Sequence, residues 1–358
     1  MGRKLVLCLD GTNNKYKKDN TNVLKMYALV DRTQADQLAY YQTGIGTAAA
    51  PGLFTRAGKW ISKQLDLAIA FLLKEHVTEA YRFLMNFYKD GDEIFIFGFS
   101  RGAYTARALA AMLYKVGLLS QGNNELIPFA WDIFKKERDE KLYTGFRHTF
   151  CRKVQVRFLG VWDTVSSVGW MWDPKYLQFT QYNPIVQTFR HAVSLDERRA
   201  YFPQNLWTNH PPADQDVLEA WFPGVHCDVG GGYLEMESGL SKDTLKWMAG
   251  HAEQNGLRLH PKAKEAILPE ENTKDDAAPS VVAPIHESLR GWWWIAEYVP
   301  KTHMVHHKDG WKKEWEIHGG RHRHVPENIN LHRSVIERME KVPEYRPPNL
   351  PKEYHIVD

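Results

Sequence analysis

The chain has 358 residues, 43% apolar and 25% charged, and its 46 Lys and Arg nearly balance its 43 Asp and Glu, for a formal net charge of +3. A chain of this size buries a large core, either as one extended α/β domain or as two smaller ones. So small a charge without a Lys/Arg block excludes nucleic acid as an expected partner, and no stretch approaches the roughly 20 apolar residues of a membrane span.

In chain order, Leu5 to Leu9 reads as a first strand, Asp10-Gly11-Thr12-Asn13-Asn14 as a loop, and Thr21 to Val30 as a helix. The apolar run at the amino terminus is too short for a signal peptide, so a cytoplasmic location is expected, with peripheral membrane contact left open. Leu38 to Gln42 is a second strand, and Ile61 to Asn86 a long amphipathic helix. The turn signal Asp90-Gly91-Asp92 then opens a third strand, Glu93 to Phe97. Asn123 to Phe150 reads as a mostly helical excursion, followed by strands at Val154 to Trp162, Phe189 to Leu195 and Glu219 to His226. Residues 262–290 lack periodicity and read as a surface insertion or mobile loop. A hairpin around Gly319-Gly320 and a closing helix near Leu331 to Lys341 complete the chain.

Strands alternating with helices predict an α/β fold, a mainly parallel sheet with helices on both faces. No internal repeat or linker divides the sequence, so a single domain over 1–358 is expected, with cap elements near 120–150, 166–188 and 262–310. The tryptophans Trp170, Trp172, Trp292, Trp293 and Trp294 are assigned to the core of that cap.

The heptapeptide Gly98-Phe99-Ser100-Arg101-Gly102-Ala103-Tyr104 lies between the third strand and an Ala-rich helix-forming run. Strand, sharp turn and helix around G-x-S-x-G form the context of a nucleophile elbow, which lifts a serine hydroxyl to the carboxyl edge of a sheet. The competing reading of Ser100 is a helix cap. A serine needs a histidine to take its proton and an acid to fix that histidine's tautomer, from later strands in the order Ser, acid, His. Asp163, after Phe158 to Trp162, and His226, ahead of Gly230-Gly231-Gly232, answer that description. Asp228 is the rival acid. Oxyanion donors are expected from the N–H groups of Arg101, directly after the serine, and of Gly11 and Thr12, after the first strand.

Three further patterns carry less. Cys8 stands where a phosphatase Asp-x-Asp-Gly-Thr loop has its nucleophile. Gly44-x-Gly46 lacks the third glycine of a dinucleotide fingerprint. The histidines at 303, 306, 307, 318, 322 and 324 fit no zinc spacing and read as alternation on an exposed hairpin, and Cys8, Cys151 and Cys227 have no ligand spacing either. No cofactor and no metal are expected.

Together, Leu7 to Asn13, Tyr41 to Thr47, Gly98 to Arg107, Phe158 to Val165, Arg190 to Arg199, Trp221 to Tyr233 and His332 to Val335 resemble the α/β-hydrolase family known as domain of unknown function 2235. The resemblance spans residues 4–350 in the expected order. It implies an α/β-hydrolase fold and a Ser-Asp-His triad on Ser100, Asp163 and His226. Its relatives include phospholipase effectors of bacterial type VI secretion, so a serine hydrolase cleaving acyl esters, lipid or phospholipid among them, is expected. Alternatives are a thioesterase or peptidase using the same triad, and a binding protein without turnover.

Overall fold

The computed structural model describes residues 2–11, 19–44, 56–135, 140–165, 177–207, 212–291, 293–298, 301–307 and 310–358. The chain opens with β1 (Lys4–Leu9), α1 (Asn22–Leu29), β2 (Gln37–Gln42), α2 (Arg56–Phe87), β3 (Glu93–Phe99) and α3 (Arg101–Lys115). A two-residue strand, β4 (Leu118–Leu119), leads into α4 (Ile127–Lys135) and α5 (Glu140–Phe150), which returns through β5 (Cys151–Arg152) to pair with β4. Then follow β6 (Val156–Trp162), β7 (Val186–Ser194), β8 (Asp216–Phe222), α6 (His226–Gly230), α7 (Gly239–Gln254), α8 (Pro261–Ile267) and α9 (Trp293–Glu297). The last elements are the hairpin of β9 (Lys301–His307) and β10 (Gly310–Glu316), β11 (Ile329–His332), α10 (Arg333–Lys341) and β12 (Tyr354–Val357).

Eight strands form one sheet in the order β12-β11-β8-β7-β6-β3-β1-β2, and every pairing in it is parallel. Both faces of such a sheet are covered by helices, so its central strands must be apolar on both sides. The period of two is visible in the packing. Leu5, Leu7, Leu9, Ile94 and Ile96 pack with α2, α3 and α4 on one face. Val6, Cys8, Phe95, Phe97 and Phe99 pack with α1 and α7 on the other. A third cluster, around Trp221, Leu331 and Val335, seals the β8–β11 end.

Because the strands run parallel, all their carboxyl ends lie on one edge. The strand order reverses direction between β1, which leads to β2, and β3, which leads to β6. In open parallel sheets, the carboxyl edge at such a switch point is where functional loops gather. Asp10 and Gly11 leave β1 on one side of it, and Ser100 leaves β3 on the other.

The structure corrects several boundaries. The hairpin lies at 301–316, and Gly319 and Gly320 form a positive-φ turn just after it. His226 opens the short helix α6 instead of ending a strand. The segment expected as a closing helix begins with β11, and β12 follows where no strand is expected. Thr12, Gly46, Trp170, Trp172 and Trp292 lie outside the described residues. Among the described residues, no helix is long and apolar enough to cross a membrane.

Candidate active site

Ser100 has φ 58° and ψ −121°, a conformation that costs an L-residue backbone energy and persists only where its surroundings impose it. Two glycines make room for it. A Cβ on Gly98 would lie 2.6 Å from the Gly102 carbonyl oxygen, and a Cβ on Gly102 would lie 2.2 Å from the Leu9 carbonyl oxygen and 2.5 Å from the Asp10 carbonyl carbon. Strand and helix therefore meet at backbone distance, and Ser100 is thrust out at the turn. Its N–H is donated to the Trp162 carbonyl at 3.1 Å, which ties the elbow to the strand that ends in Asp163. The side chain makes no helix-cap hydrogen bond.

The hydroxyl of Ser100 instead donates to Nε2 of His226 at 2.8 Å, and Nδ1–H of His226 donates to Oδ2 of Asp163 at 2.5 Å. The carboxylate only accepts, so this pairing fixes the proton on Nδ1 and leaves Nε2 as an acceptor. The ring lies between Phe99 and Phe202, with centroids 4.5 and 4.8 Å away. Asp163 is fully buried and adopts a left-handed φ of 34°, which aspartate tolerates better than most residues. The structure thus brings together the three residues that the motifs single out.

Asp228 does not face His226. One of its oxygens accepts the Val225 N–H at 3.0 Å, the reach of an N3 acid back to its own helix cap, and also the His286 N–H at 3.1 Å. The other accepts from the His286 ring at 2.6 Å. It anchors the loop entering α6 and has no contact with the imidazole of His226.

The expected oxyanion donors are distributed differently. Arg101 is the first residue of α3, directly after Ser100. The Gly11 N–H is already donated to Oδ1 of Asp10 at 2.6 Å, while Oδ2 of Asp10 accepts from Thr21 at 2.6 Å and Tyr41 at 2.8 Å. The Gly11 N–H thus has a partner within its own loop.

Several residues at the site carry no motif. Arg323, 5% exposed, donates to both oxygens of Asp163, at 2.6 Å to Oδ1 and 2.9 Å to Oδ2. Glu197 is fully buried, accepts the His226 N–H at 3.1 Å, and pairs with Arg199 at 2.9 Å. Arg199 in turn stacks over Phe202, 3.7 Å from its centroid. Asp196 accepts the Gly224 N–H at 2.6 Å. On the far side, the Thr164 N–H is donated to Nε2 of buried His191, whose Nδ1–H is held by Glu219 at 2.7 Å. His191, Asp196, Glu197 and Arg199 lie in Arg190 to Arg199 and Thr164 in Phe158 to Val165, segments that carry the resemblance, whereas Arg323 lies in none.

These partners set the charge states. Burial would raise the Asp163 carboxyl, but the Arg323 guanidinium and the His226 contact outweigh it and hold the group far below the usual carboxylate range. Burial likewise opposes ionisation of Glu197, and Arg199 brings it down to about 2. His226 is pushed below its ordinary value, chiefly by burial, with Arg199 adding to the lowering and Asp163 working against it. A carboxylate beside a histidine leads one to expect the opposite shift. Desolvation reverses it here.

Residues 3–251 match the family described as type VI secretion phospholipase effector Tle1-like, catalytic domain. The chain belongs to the Tle1-like family. Members of the Tle1-like family are named as phospholipase effectors, which hydrolyse lipid esters. An uncharacterized protein of Saccharomyces cerevisiae is 27% identical over an alignment of 552 positions that takes in 98% of this chain and 81% of the relative. Two solved structures are also similar. One, an uncharacterized protein from Pseudomonas aeruginosa, has 20% identity and a TM-score of 0.43, covering 74% of this chain and 47% of the other. The second is a Tle1 effector bound to the VgrG spike of the type VI secretion system, with 18% identity, a TM-score of 0.39, and coverage of 67% and 52%. This Tle1-like chain spans about half the length of each of those two structures.

Proposed function

We propose that the protein is a serine hydrolase that cleaves carboxylic esters of lipids, phospholipids included, through a covalent acyl-enzyme. The observation that carries this reading is the unbroken hydrogen-bonded chain from Ser100 through His226 to Asp163, in a family of phospholipase effectors. In the first step the Ser100 oxygen attacks the ester carbonyl carbon while Nε2 of His226 takes its proton. The oxyanion is held by the Arg101 N–H at the start of α3, where the helix dipole also favours negative charge. Collapse of this intermediate breaks the ester bond, and His226 gives its proton to the departing alkoxide. Water, deprotonated in turn by His226, then releases the fatty acid and restores Ser100. Throughout, Asp163 keeps the imidazole in its working tautomer and stabilises its protonated form.

The cap elements near 120–150, 166–188 and 262–310 belong, on this reading, to one domain over 1–358. Trp293 packs 5.7 Å from Phe202, itself against His226, so α9 lies beside the site. A fluorophosphonate probe should label the protein on Ser100 and fail to label Ser100→Ala. Turnover of p-nitrophenyl esters of increasing chain length, beside a phospholipid and an acyl-thioester, then ranks the substrates. Absence of labelling and of turnover on the whole panel would reject the reading, and preference for the thioester would move the protein to another class of acyl hydrolase.

A further inference from the structure

We propose that Arg323 is a positioning residue of this site, locking the Asp163 carboxylate in the orientation that presents Oδ2 to His226 and sharing its negative charge. The proposal rests on the serine hydrolase reading. It names a residue that lies well beyond the stretch matched to the family, residues 3–251.

The geometry is that of a planar fork on a planar carboxylate. One terminal nitrogen of Arg323 meets Oδ1 at 2.6 Å and the other meets Oδ2 at 2.9 Å, so the plane of the carboxylate is fixed by two parallel bonds. A lysine, a single point donor, cannot fix that plane. The remaining donors are also occupied. Nε and one terminal nitrogen donate to the Phe202 carbonyl at 3.0 and 2.6 Å, and the other terminal nitrogen reaches Ser194 Oγ at 2.8 Å. Ser194 N–H closes the arrangement by donating to Oδ1 of Asp163 at 3.0 Å. The guanidinium is itself held by the backbone. The Arg323 N–H is donated to the Glu197 carbonyl at 3.2 Å, and its carbonyl accepts from Asn349 at 3.1 Å.

Among the described residues, Arg323 is the group that grips both oxygens of Asp163 at once. Without the fork, a left-handed Asp163 retains only single-point bonds, the Ser194 N–H on Oδ1 and His226 itself on Oδ2, and neither fixes the plane of the carboxylate. The fork also has an electrostatic effect. A carboxylate shared with an arginine stabilises a protonated imidazole less than an unshared one, so the base remains neutral to more acidic pH. The charged groups facing His226 are Asp163 with Arg323, and Glu197 with Arg199. Asp228 and His286 pair with each other on the outer side of α6. The carboxylate nearest the ring is thus matched by its own arginine, and so is the one at its backbone.

The test uses the full chain and the variants Arg323→Met and Arg323→Lys, with kcat, KM and their pH dependence measured on a soluble p-nitrophenyl ester. We expect Arg323→Met to lose roughly 10- to 100-fold in kcat with KM nearly unchanged, the loss expected of a misaligned base. The acid limb of its pH profile should move up by about one pH unit, because Asp163 is then unshared. Arg323→Lys should keep much of the acid limb but recover kcat only in part. If either folded variant, measured by thermal melting, loses activity only in proportion to its folded fraction, with an unmoved pH midpoint, Arg323 is a structural strut and the proposal fails. Should Arg323→Met not fold, the kcat of fully folded Arg323→Lys decides alone, a partial loss supporting the proposal and a wild-type value overturning it. Failure of the underlying reading looks different, since the wild-type chain itself would then resist the fluorophosphonate probe.

Discussion

Ser100 and Asp163 directly follow strands β3 and β6 of one parallel sheet and His226 opens the helix that follows β8, whereas Arg323 and Glu197 lie in chain without regular structure. The first set inherits its positions from backbone ladders that many residues share. The second is placed by individual hydrogen bonds, to Asn349, to Glu197 and to Arg199. On the proposed reading, the sheet delivers the reacting atoms to one edge, and the irregular part sets how they are charged and aimed. Substitutions in the first set should abolish chemistry, and those in the second should retune it.

The largest effect is expected for Ser100→Ala, which removes the attacking atom and little packing. Its kcat should fall on the order of a thousandfold or more, with the residual rate coming from the oxyanion donors and binding. A variant that keeps a tenth of wild-type esterase activity would remove Ser100 from the mechanism. Next come the two aspartates. Asp163→Asn should cost at least about a hundredfold, because an amide holds His226 in the wrong tautomer. Asp228→Asn, which touches only its own helix cap and His286, should cost less than about tenfold. Reversal of that order on one activated ester would assign the acid role to Asp228 against the geometry.

A smaller, diagnostic effect concerns pH. His226 acts as a base only when neutral, and its folded-state value is lowered, chiefly by burial. The rate should therefore rise with pH through a midpoint below the ordinary histidine value of about 6.5. A midpoint above it would mean that burial does not outweigh the Asp163 carboxylate as described. The smallest expected effect is none at all. Acyl transfer by this route uses no Lewis acid, so prolonged EDTA treatment should leave turnover of a short soluble ester unchanged, and loss reversed by Ca²⁺ or Zn²⁺ would overturn the mechanism.

The same division explains what the sequence makes legible. Strands β1, β3 and β6 are apolar on both faces and each stops at a polar residue, so the edge of the sheet can be read directly from Asp10, Ser100 and Asp163. Strand β12 escapes because it is a four-residue edge strand whose Tyr354-His355-Ile356-Val357 remain at least partly exposed, giving no hydrophobic run. Arg323 sits in Arg321-His322-Arg323-His324, a string without period or turn signal, and its partner is 160 residues away. The shift of His226 is invisible for a related reason. Its sign depends on how deeply the ring is buried, which no local motif encodes.

The contact at Gly102 has a mechanical consequence. The first turn of α3 rests on the carbonyls of Leu9 and Asp10 with no room for even a methyl group between them. The loop that leaves β1 and the turn that carries Ser100 are in effect one rigid body, with Asp10 pinned from behind by Tyr41 and Thr21. A displacement of the Asp10–Gly11 backbone is therefore passed directly to the turn that carries Ser100, and neither can shift without the other.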